Sequence, residues 1–364
     1  MFKRVAIIGV GLIGGSLGMA LKRLRLAEEV LGIGRDAEKL RLAVEVGAVD
    51  RVTTDLTSVA GATLVVVATP VSAVIPVVKE AAGHFRPGTV VTDVGSVKAA
   101  IVKTLHPVAR THGFHFVGGH PMAGSERAGV KSADPYLFEN AYYILTPAPD
   151  TERGSLETVG KMAAAVGARV IELSPEEHDL YVAAVSHLPH CVAAALVSTI
   201  GALPEREAVL PLAAGGFRDT TRVAAGDPEV WRDIVIANRE AILGMIHRYQ
   251  AALASLAVLI RAEDGAGVFE WLKKAQALRR AVPAKSKGYL PELYEIVVTV
   301  PDRPGVIAGL AGVLGDNGIN ICDIEILRVR EGEGGTIRLG FARETDQEEA
   351  VRLLREAGIE ARKR

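Results

Sequence analysis

The sequence predicts an α/β chain in three parts: a parallel, doubly wound sheet, then an all-helical region, then a small α+β module. Three observations carry this. Strand-like and helix-like stretches alternate from residue 5 to about 173, helical periodicity takes over from 176 to 280, and a second strand–helix pattern follows residue 292.

Taken in order, residues 4–8 (RVAII) form an apolar run of the kind buried on both faces of a parallel sheet. A glycine-rich turn follows, and a helix begins over 15–22. Residues 30–33, 64–68, 90–92 and 114–117 are further β-rich runs, and 141–146 and 168–173 add two more. Ser174 and Pro175 open the change of class. Runs 180–200 and 234–260 are apolar and long, so each must bury a face against the other or against another subunit. The segment AVPAKSKGYLPE, 281–292, is polar and punctuated by proline, as linkers are. Beyond it the pattern gives a strand at 294–300, a helix at 305–316, strands at 320–329 and 336–342, and a helix at 346–357. The expected divisions are a dinucleotide-type domain 1–173, a helical domain 174–285, a linker 286–292 and a module 293–364.

Composition narrows the function. The chain has 364 residues, 49% hydrophobic and 23% charged, enough for several proper cores. A formal net charge of -1 with no basic block argues against nucleic acid or an anionic membrane surface as the main partner, leaving small-molecule chemistry. Cys191 and Cys322 are too far apart to suggest a metal clip or redox pair, which fits a reducing compartment. The apolar N-terminus runs into a glycine turn instead of a signal-peptide cleavage site, and no uninterrupted apolar run is long enough to span a bilayer. The expectation is a cytoplasmic protein without a membrane partner.

Gly9, Gly11 and Gly14 form G-x-G-x-x-G directly between the first strand and the first helix, the context of a Rossmann dinucleotide site. The first glycine permits the tight turn, the second lets the backbone approach a pyrophosphate, and the third lets the helix close on the sheet. Leu12 and Ile13 lie inside the same turn, at a helix N-terminus suited to an anion. An acidic residue for the ribose should follow about 20 residues on. Gly34 stands there, with Arg35 and Asp36 next, so the sequence offers either a cation for a 2'-phosphate (NADP) or a displaced carboxylate (NAD), and the arginine tips this slightly towards NADP. Thr69 and Pro70 end one strand, and Asp93, Gly95 and Ser96 end another, so these are expected in the same crevice, although turn chemistry alone would also explain them.

The chemistry is expected in VGGHPMAGSERAG, 117–129. His120 follows a strand and two glycines and precedes Pro121, placing an imidazole at a strand end, where open sheets bind ligands. A histidine capping a surface turn is the alternative.

With the fingerprint, TDVGSVK at 92–98, GGHPMAGSERAG at 118–129 and SHLPH at 186–190 in this order, the first ~285 residues resemble the prephenate dehydrogenase family. DRPG at 302–305 and GINI at 318–321 make the last module resemble an ACT domain. The resemblance implies oxidative decarboxylation of prephenate to 4-hydroxyphenylpyruvate with hydride transfer to NAD or NADP and no metal. It implies His120 as the base for the substrate hydroxyl, Ser96 hydrogen-bonding near it, and Arg222 on a substrate carboxylate. It places His190, and less surely His187, in the substrate pocket, and gives Glu126 and Asp219 roles in gating the pocket or orienting Arg222. Trp231 falls near the site or in the core. The ACT resemblance implies an L-tyrosine effector, with Gly305 and Asn320 where backbone amides could meet an amino-acid carboxylate. The long apolar helices imply a homodimer. Two other readings stay open: an arogenate dehydrogenase, and a nicotinamide-sensing regulatory protein without turnover.

Overall fold

The computed structural model describes residues 2–124, 128–281, 293–301, 303–327 and 335–363. Glu126, the expected linker 286–292, Asp302 and the end of the expected 320–329 strand lie outside the described residues. The chain divides into two units, Met1–Ser286 and Lys287–Arg364.

The first unit contains β1 (Val5–Ile8), α1 (Leu12–Arg23), β2 (Val30–Ile33), α2 (Ala37–Glu45), β3 (Arg51–Thr53), β4 (Leu64–Val67), α3 (Val71–Ala81), β5 (Val90–Asp93), α4 (Ala99–His112), β6 (His115–Pro121), β7 (Tyr142–Thr146), α5 (Arg153–Ala165) and β8 (Arg169–Glu172). The eight strands lie in the order β3-β2-β1-β4-β5-β6-β7-β8. Strand order reverses between β1 and β4, and ligands bind such sheets outside the carboxyl ends at that point. The apolar runs alternate faces with period two: Val5, Ile7, Leu64 and Val66 join one core, and Ala6, Ile8, Val65 and Val67 join the other. Burying each Val, Leu or Ile contributes about 1.5–3 kcal/mol, so the register is strongly fixed.

Two features were not expected, one additional parallel strand and one reversed strand. β3 is a short edge strand whose exposed and half-buried residues carry no hydrophobic signal. β7 runs antiparallel to β6. Among the described residues of 122–141 there is only a 3-10 turn, Val130–Ser132, and without a crossover helix the chain returns beside the strand it left. β6 also runs past the expected Val117. Its parallel pairing with β5 stops at Val117, while Gly118, Gly119, His120 and Pro121 continue against β7 alone. His120 thus stands beyond the end of β5, on the side left open.

The helical region comprises α6 (Pro175–Val182), α7 (Leu188–Gly201), α8 (Arg206–Val209), α9 (Gly215–Thr221), α10 (Pro228–Ala237), α11 (Arg239–Arg261) and α12 (Gly265–Ala281). Ser174 and Glu177 form a capping box at the start of α6, with Pro175 in its first turn where no amide is needed. The expected helix over 180–200 contains a π turn, Ala183–His187, and Pro189 sits harmlessly in the first turn of α7. The expected helix over 234–260 breaks at Asn238, between α10 and α11. Pro175–Gly201 and Arg239–Arg261 are long and apolar enough to cross a bilayer by length and composition, contrary to the expectation that no run would be. The first of them buries His178, Asp179, His187 and His190 within the fold while leaving Leu180, Tyr181, Val185 and Val197 exposed.

The second unit contains β9 (Tyr294–Val300), α13 (Val306–Gly315), β10 (Asp323–Leu327), β11 (Gly335–Phe341), α14 (Glu344–Glu356) and β12 (Glu360–Lys363), with strand order β10-β11-β9-β12 and antiparallel pairing throughout. Ile296, Val298, Leu339 and Phe341 of the sheet share a core with Leu310, Leu314 and Leu354 of the helices. The charged strand β12 was not expected, because among its residues only Ala361 is buried.

Candidate active site

The glycine turn is built as its spacing implies. Gly9 has φ 94°, and a Cβ there would lie 2.6 Å from the Ala68 carbonyl oxygen, so neither the torsion nor the space admits a side chain. At Gly14 a Cβ would run into the Gly9 carbonyl, which is how α1 comes so close to β1. Gly11 is the N-cap of α1 with no side chain capping it, and nothing lies within 4 Å of where its Cβ would be. The amides of the first turn therefore face open space. That space is a crevice of about 800 Å³, whose wall includes Gly11, Leu12, Ile13, Thr69 and Pro70 on one side and Ser96, Ala123, Arg222 and Trp231 further along. Thr69 Oγ1 is buried with no hydrogen-bond partner. An amide-lined helix terminus, a glycine whose absent side chain leaves room, and an orphaned hydroxyl fit the diphosphate and ribose of a dinucleotide.

His120 is 8% exposed and is not itself a residue of the crevice wall; it stands three positions before the wall residue Ala123. Its Nδ1 is 2.8 Å from His178 Nε2, and His178 Nδ1 is 2.7 Å from Asp179 Oδ1. The Asp179 carboxylate also accepts the backbone N–H of Lys98 at 2.7 Å and of Ala99 at 2.9 Å, at the start of α4. Lys98 is fully buried and donates to Asp93 and, at 2.9 Å, to the carbonyl of Gly119, the residue before His120. Asp93 in turn accepts the Gly119 and Gly95 amides. Burial first, then the neighbouring His178, Lys98 and His187, hold the His120 imidazole well below the ordinary histidine value of 6.5. The uncharged form of the ring is thereby favoured near neutral pH.

The π turn, α7 and α10 bring a second group of rings. Trp231 stacks on His190 at 3.5 Å between centroids and meets His187 edge-on at 6.1 Å. His187 is held by Asn238, whose Nδ2 donates to its Nδ1 at 3.1 Å, so the ring carries its proton on Nε2. Burial lowers the His187 pKa to about 4. Asn238 also donates to the Asp179 carbonyl, which explains the break between α10 and α11. Asp233 of α10 accepts the Ser72 hydroxyl from α3, closing the other side of the crevice.

Several expected residues are placed differently. Asp93 does not line the crevice: it is fully buried, and both carboxylate oxygens are committed to Lys98 and two backbone amides. Asp36 caps α2 through the Glu38 and Lys39 amides, and these hydrogen bonds, Lys39 foremost, lower its pKa. Arg35 is exposed just past β2 and outside the crevice wall. Asp219 is exposed on α9 and does not line the crevice either. His187 and His190 lie behind Trp231 and are not themselves wall residues. In the second unit Gly305 has φ 89° at the N-cap of α13 and lines a hollow of about 460 Å³ with Arg303, Pro304 and Val306. Asn320 lies outside that hollow, its side chain turned to Cys322 Sγ at 3.7 Å.

Sequence reasoning missed Lys98, His178, Asp179 and Asn238. Lys98 stood inside a quoted motif, five residues from the Asp93 it pairs with. Nothing local could reveal His178, because its partner His120 is 58 residues away.

The chain is similar to known proteins along most of its length. The family description "Prephenate dehydrogenase, nucleotide-binding domain" matches residues 17–172, "Prephenate dehydrogenase, dimerization domain" matches 174–274 and "ACT domain" matches 294–358. A prephenate dehydrogenase of Bacillus subtilis is 36% identical over 356 residues, 96% of this chain and 95% of its own length. The crystal structure of prephenate dehydrogenase from Aquifex aeolicus in complex with hydroxyphenyl propionate and NAD+ superposes with a TM-score of 0.74 at 35% identity, covering 78% of this chain and 99% of that one. A Synechocystis arogenate dehydrogenase structure gives 0.68 at 32% identity, covering 76% and 99%. Matches of this length place the chain in the prephenate dehydrogenase family, as an NAD(P)-dependent oxidoreductase ending in an ACT domain.

Proposed function

We propose that the chain catalyses oxidative decarboxylation of prephenate to 4-hydroxyphenylpyruvate. The observation that carries this is the buried His120, its imidazole hydrogen-bonded to His178 and three positions before Ala123 on the wall of the crevice that the glycine turn opens into. Gly9, Gly11, Leu12, Ile13, Gly14, Thr69 and Pro70 would hold the dinucleotide, with its diphosphate at the N-terminus of α1. When bound, the nicotinamide accepts the hydride. His120 Nε2 takes the proton of the ring hydroxyl as hydride leaves the same carbon, loss of the ring carboxylate as carbon dioxide aromatises the ring to a phenolate, and His120 returns the proton to that oxygen. Ser96, on the crevice wall, hydrogen-bonds the same hydroxyl, and the Arg222 guanidinium grips a substrate carboxylate through its planar fork. His190, with His187 beside it, acts through Trp231, against which both rings pack. Glu126 keeps its proposed gating role from the family resemblance alone.

The similarity to an arogenate dehydrogenase favours a second reading in which the substrate side chain is an amino acid. Exposed Leu243, Leu253, Val258, Ile260, Phe269 and Leu272 on α11 and α12, inside the match to a dimerization domain, support a homodimer built through the helical region. The hollow at Gly305 supports an amino-acid effector, L-tyrosine. The cytoplasm is the proposed compartment. Initial rates with prephenate and arogenate, each with NAD and NADP and with and without tyrosine, test these readings together. Turnover of prephenate with inhibition by tyrosine is expected; a protein that binds the cofactor and turns over neither substrate would be a sensor instead.

A further inference from the structure

The chain of contacts behind His120 is longer than a base needs for orientation alone. Both Asp179 oxygens accept backbone amides, so the carboxylate has only acceptor capacity to offer His178, and His178 Nδ1 must be the donor. His178 Nε2 is then a bare acceptor, and His120 must donate to it from Nδ1. One tautomer of His120 survives: proton on Nδ1, lone pair on Nε2. The Gly119 carbonyl held by Lys98 and the Gly119 amide held by Asp93 fix the backbone on the other side of the ring.

The charges around His120 are as uneven as the hydrogen bonds. From β5 and the turn after it come Asp93 and Lys98, which neutralise each other. From α6 come His178 and Asp179, from the π turn His187, and from β7 the buried Tyr143, whose phenol is pushed up by burial and by Asp93. Of these described groups Asp179 is the carboxylate hydrogen-bonded to His178, its other contacts being the α4 amides that hold it in place, while Lys98 interacts with it electrostatically from further off. When His120 takes a proton it becomes a cation in a buried site that already contains Lys98.

We propose that Asp179, acting through His178, is the counter-charge for the imidazolium formed on His120 during turnover, so that both are positioning residues of the reaction. This rests on the functional reading above. The proton arriving from the substrate stays on Nε2, the Nδ1 proton leans further towards His178 Nε2, and the positive charge spreads over two rings against one carboxylate. Once carbon dioxide has left, the Nε2 proton returns to the phenolate oxygen, which gives the phenol of the product and resets the pair. The logic is that of a carboxylate–histidine pair extended by one ring. A purely structural Asp179 would need only the two α4 amides; it would not need His178 aimed at the base.

The test uses the full-length protein with His178→Leu, His178→Gln and Asp179→Asn, reading kcat, KM, NAD(P) affinity, melting temperature and the pH dependence of kcat/KM. Leu at 178 is expected to lower kcat about 100-fold or more, with KM and cofactor affinity changed less than about threefold. Gln is expected to recover part of kcat, because its carbonyl can accept the Nδ1 proton though it carries no link to Asp179. Asn at 179 is expected to lower kcat and move the acid limb of kcat/KM to lower pH, since the imidazolium loses its counter-charge. Three variants with kcat near wild type and an unmoved acid limb would overturn the proposal. So would equal losses in Leu and Gln that simply track a fall in melting temperature. A wild type inert towards both prephenate and arogenate would overturn the functional reading and this proposal with it; an active wild type with unaffected variants overturns this proposal alone.

Discussion

The two halves of the crevice are made by different physics. On the sheet side, the binding groups are backbone: amides at the start of α1, in a turn whose Gly9 and Gly14 leave no room for a side chain. On the helical side, they are rings and carboxylates held by other side chains far away in sequence, His120 to His178 over 58 residues and Asn238 to His187 over 51. The backbone half depends on local torsions and close approach; the side-chain half depends on three helices meeting correctly. A lesion on one side should therefore be separable from a lesion on the other.

Gly14→Ala should separate them most sharply. Its Cβ meets backbone, which cannot yield cheaply, so α1 must move away from β1. The expected cost is about 1–3 kcal/mol of stability by thermal or denaturant unfolding. Cofactor affinity should fall by a further order of magnitude or more in a direct titration, with the His120 and His178 contacts intact. Unchanged cofactor binding would mean that the turn does not hold the diphosphate.

Asn238→Leu is the converse lesion. The Asp179 carbonyl keeps its helical partner, the Ala183 amide, but His187 Nδ1 is left buried and unpaired. Stability should drop by about 1–3 kcal/mol. KM for the substrate should rise while cofactor affinity stays level; a loss of cofactor affinity instead would show that the two halves are not separable.

The smallest effect is with pH. His120, His178, His187 and His190 all have pKa values lowered, chiefly by burial, so the unfolded chain binds their protons more readily than the folded one. For His187 the loss of stability runs from its unfolded value of 6.5 down to about 4. The melting temperature should accordingly decline on acidification through that window, by roughly a few degrees. A flat profile there would place these rings in water.

The same contrast explains what could be read from the chain itself. The sheet core, the glycine turn and the strand-end placement of His120 follow from period-two burial and from torsions that only glycine adopts, all within a few residues. The reversal of β7 could not be read, because it depends on a missing crossover helix and not on anything in its own apolar run, YYILT. Asp93 looked like a crevice residue because it ends a strand; its burial is decided by Lys98 folding back over it. His178 and Asp179 looked unrelated to catalysis, since adjacent positions on a helix do not normally face each other, and their alignment is imposed by the start of α4.

The most direct test of the account is His120→Ala, measured for turnover and for NAD(P) binding on the same preparation. Turnover is expected to fall by about 10²–10⁴-fold while the cofactor dissociation constant stays within about twofold. Substantial turnover in that variant, or loss of cofactor binding alongside it, would contradict the His120 imidazole acting as the base.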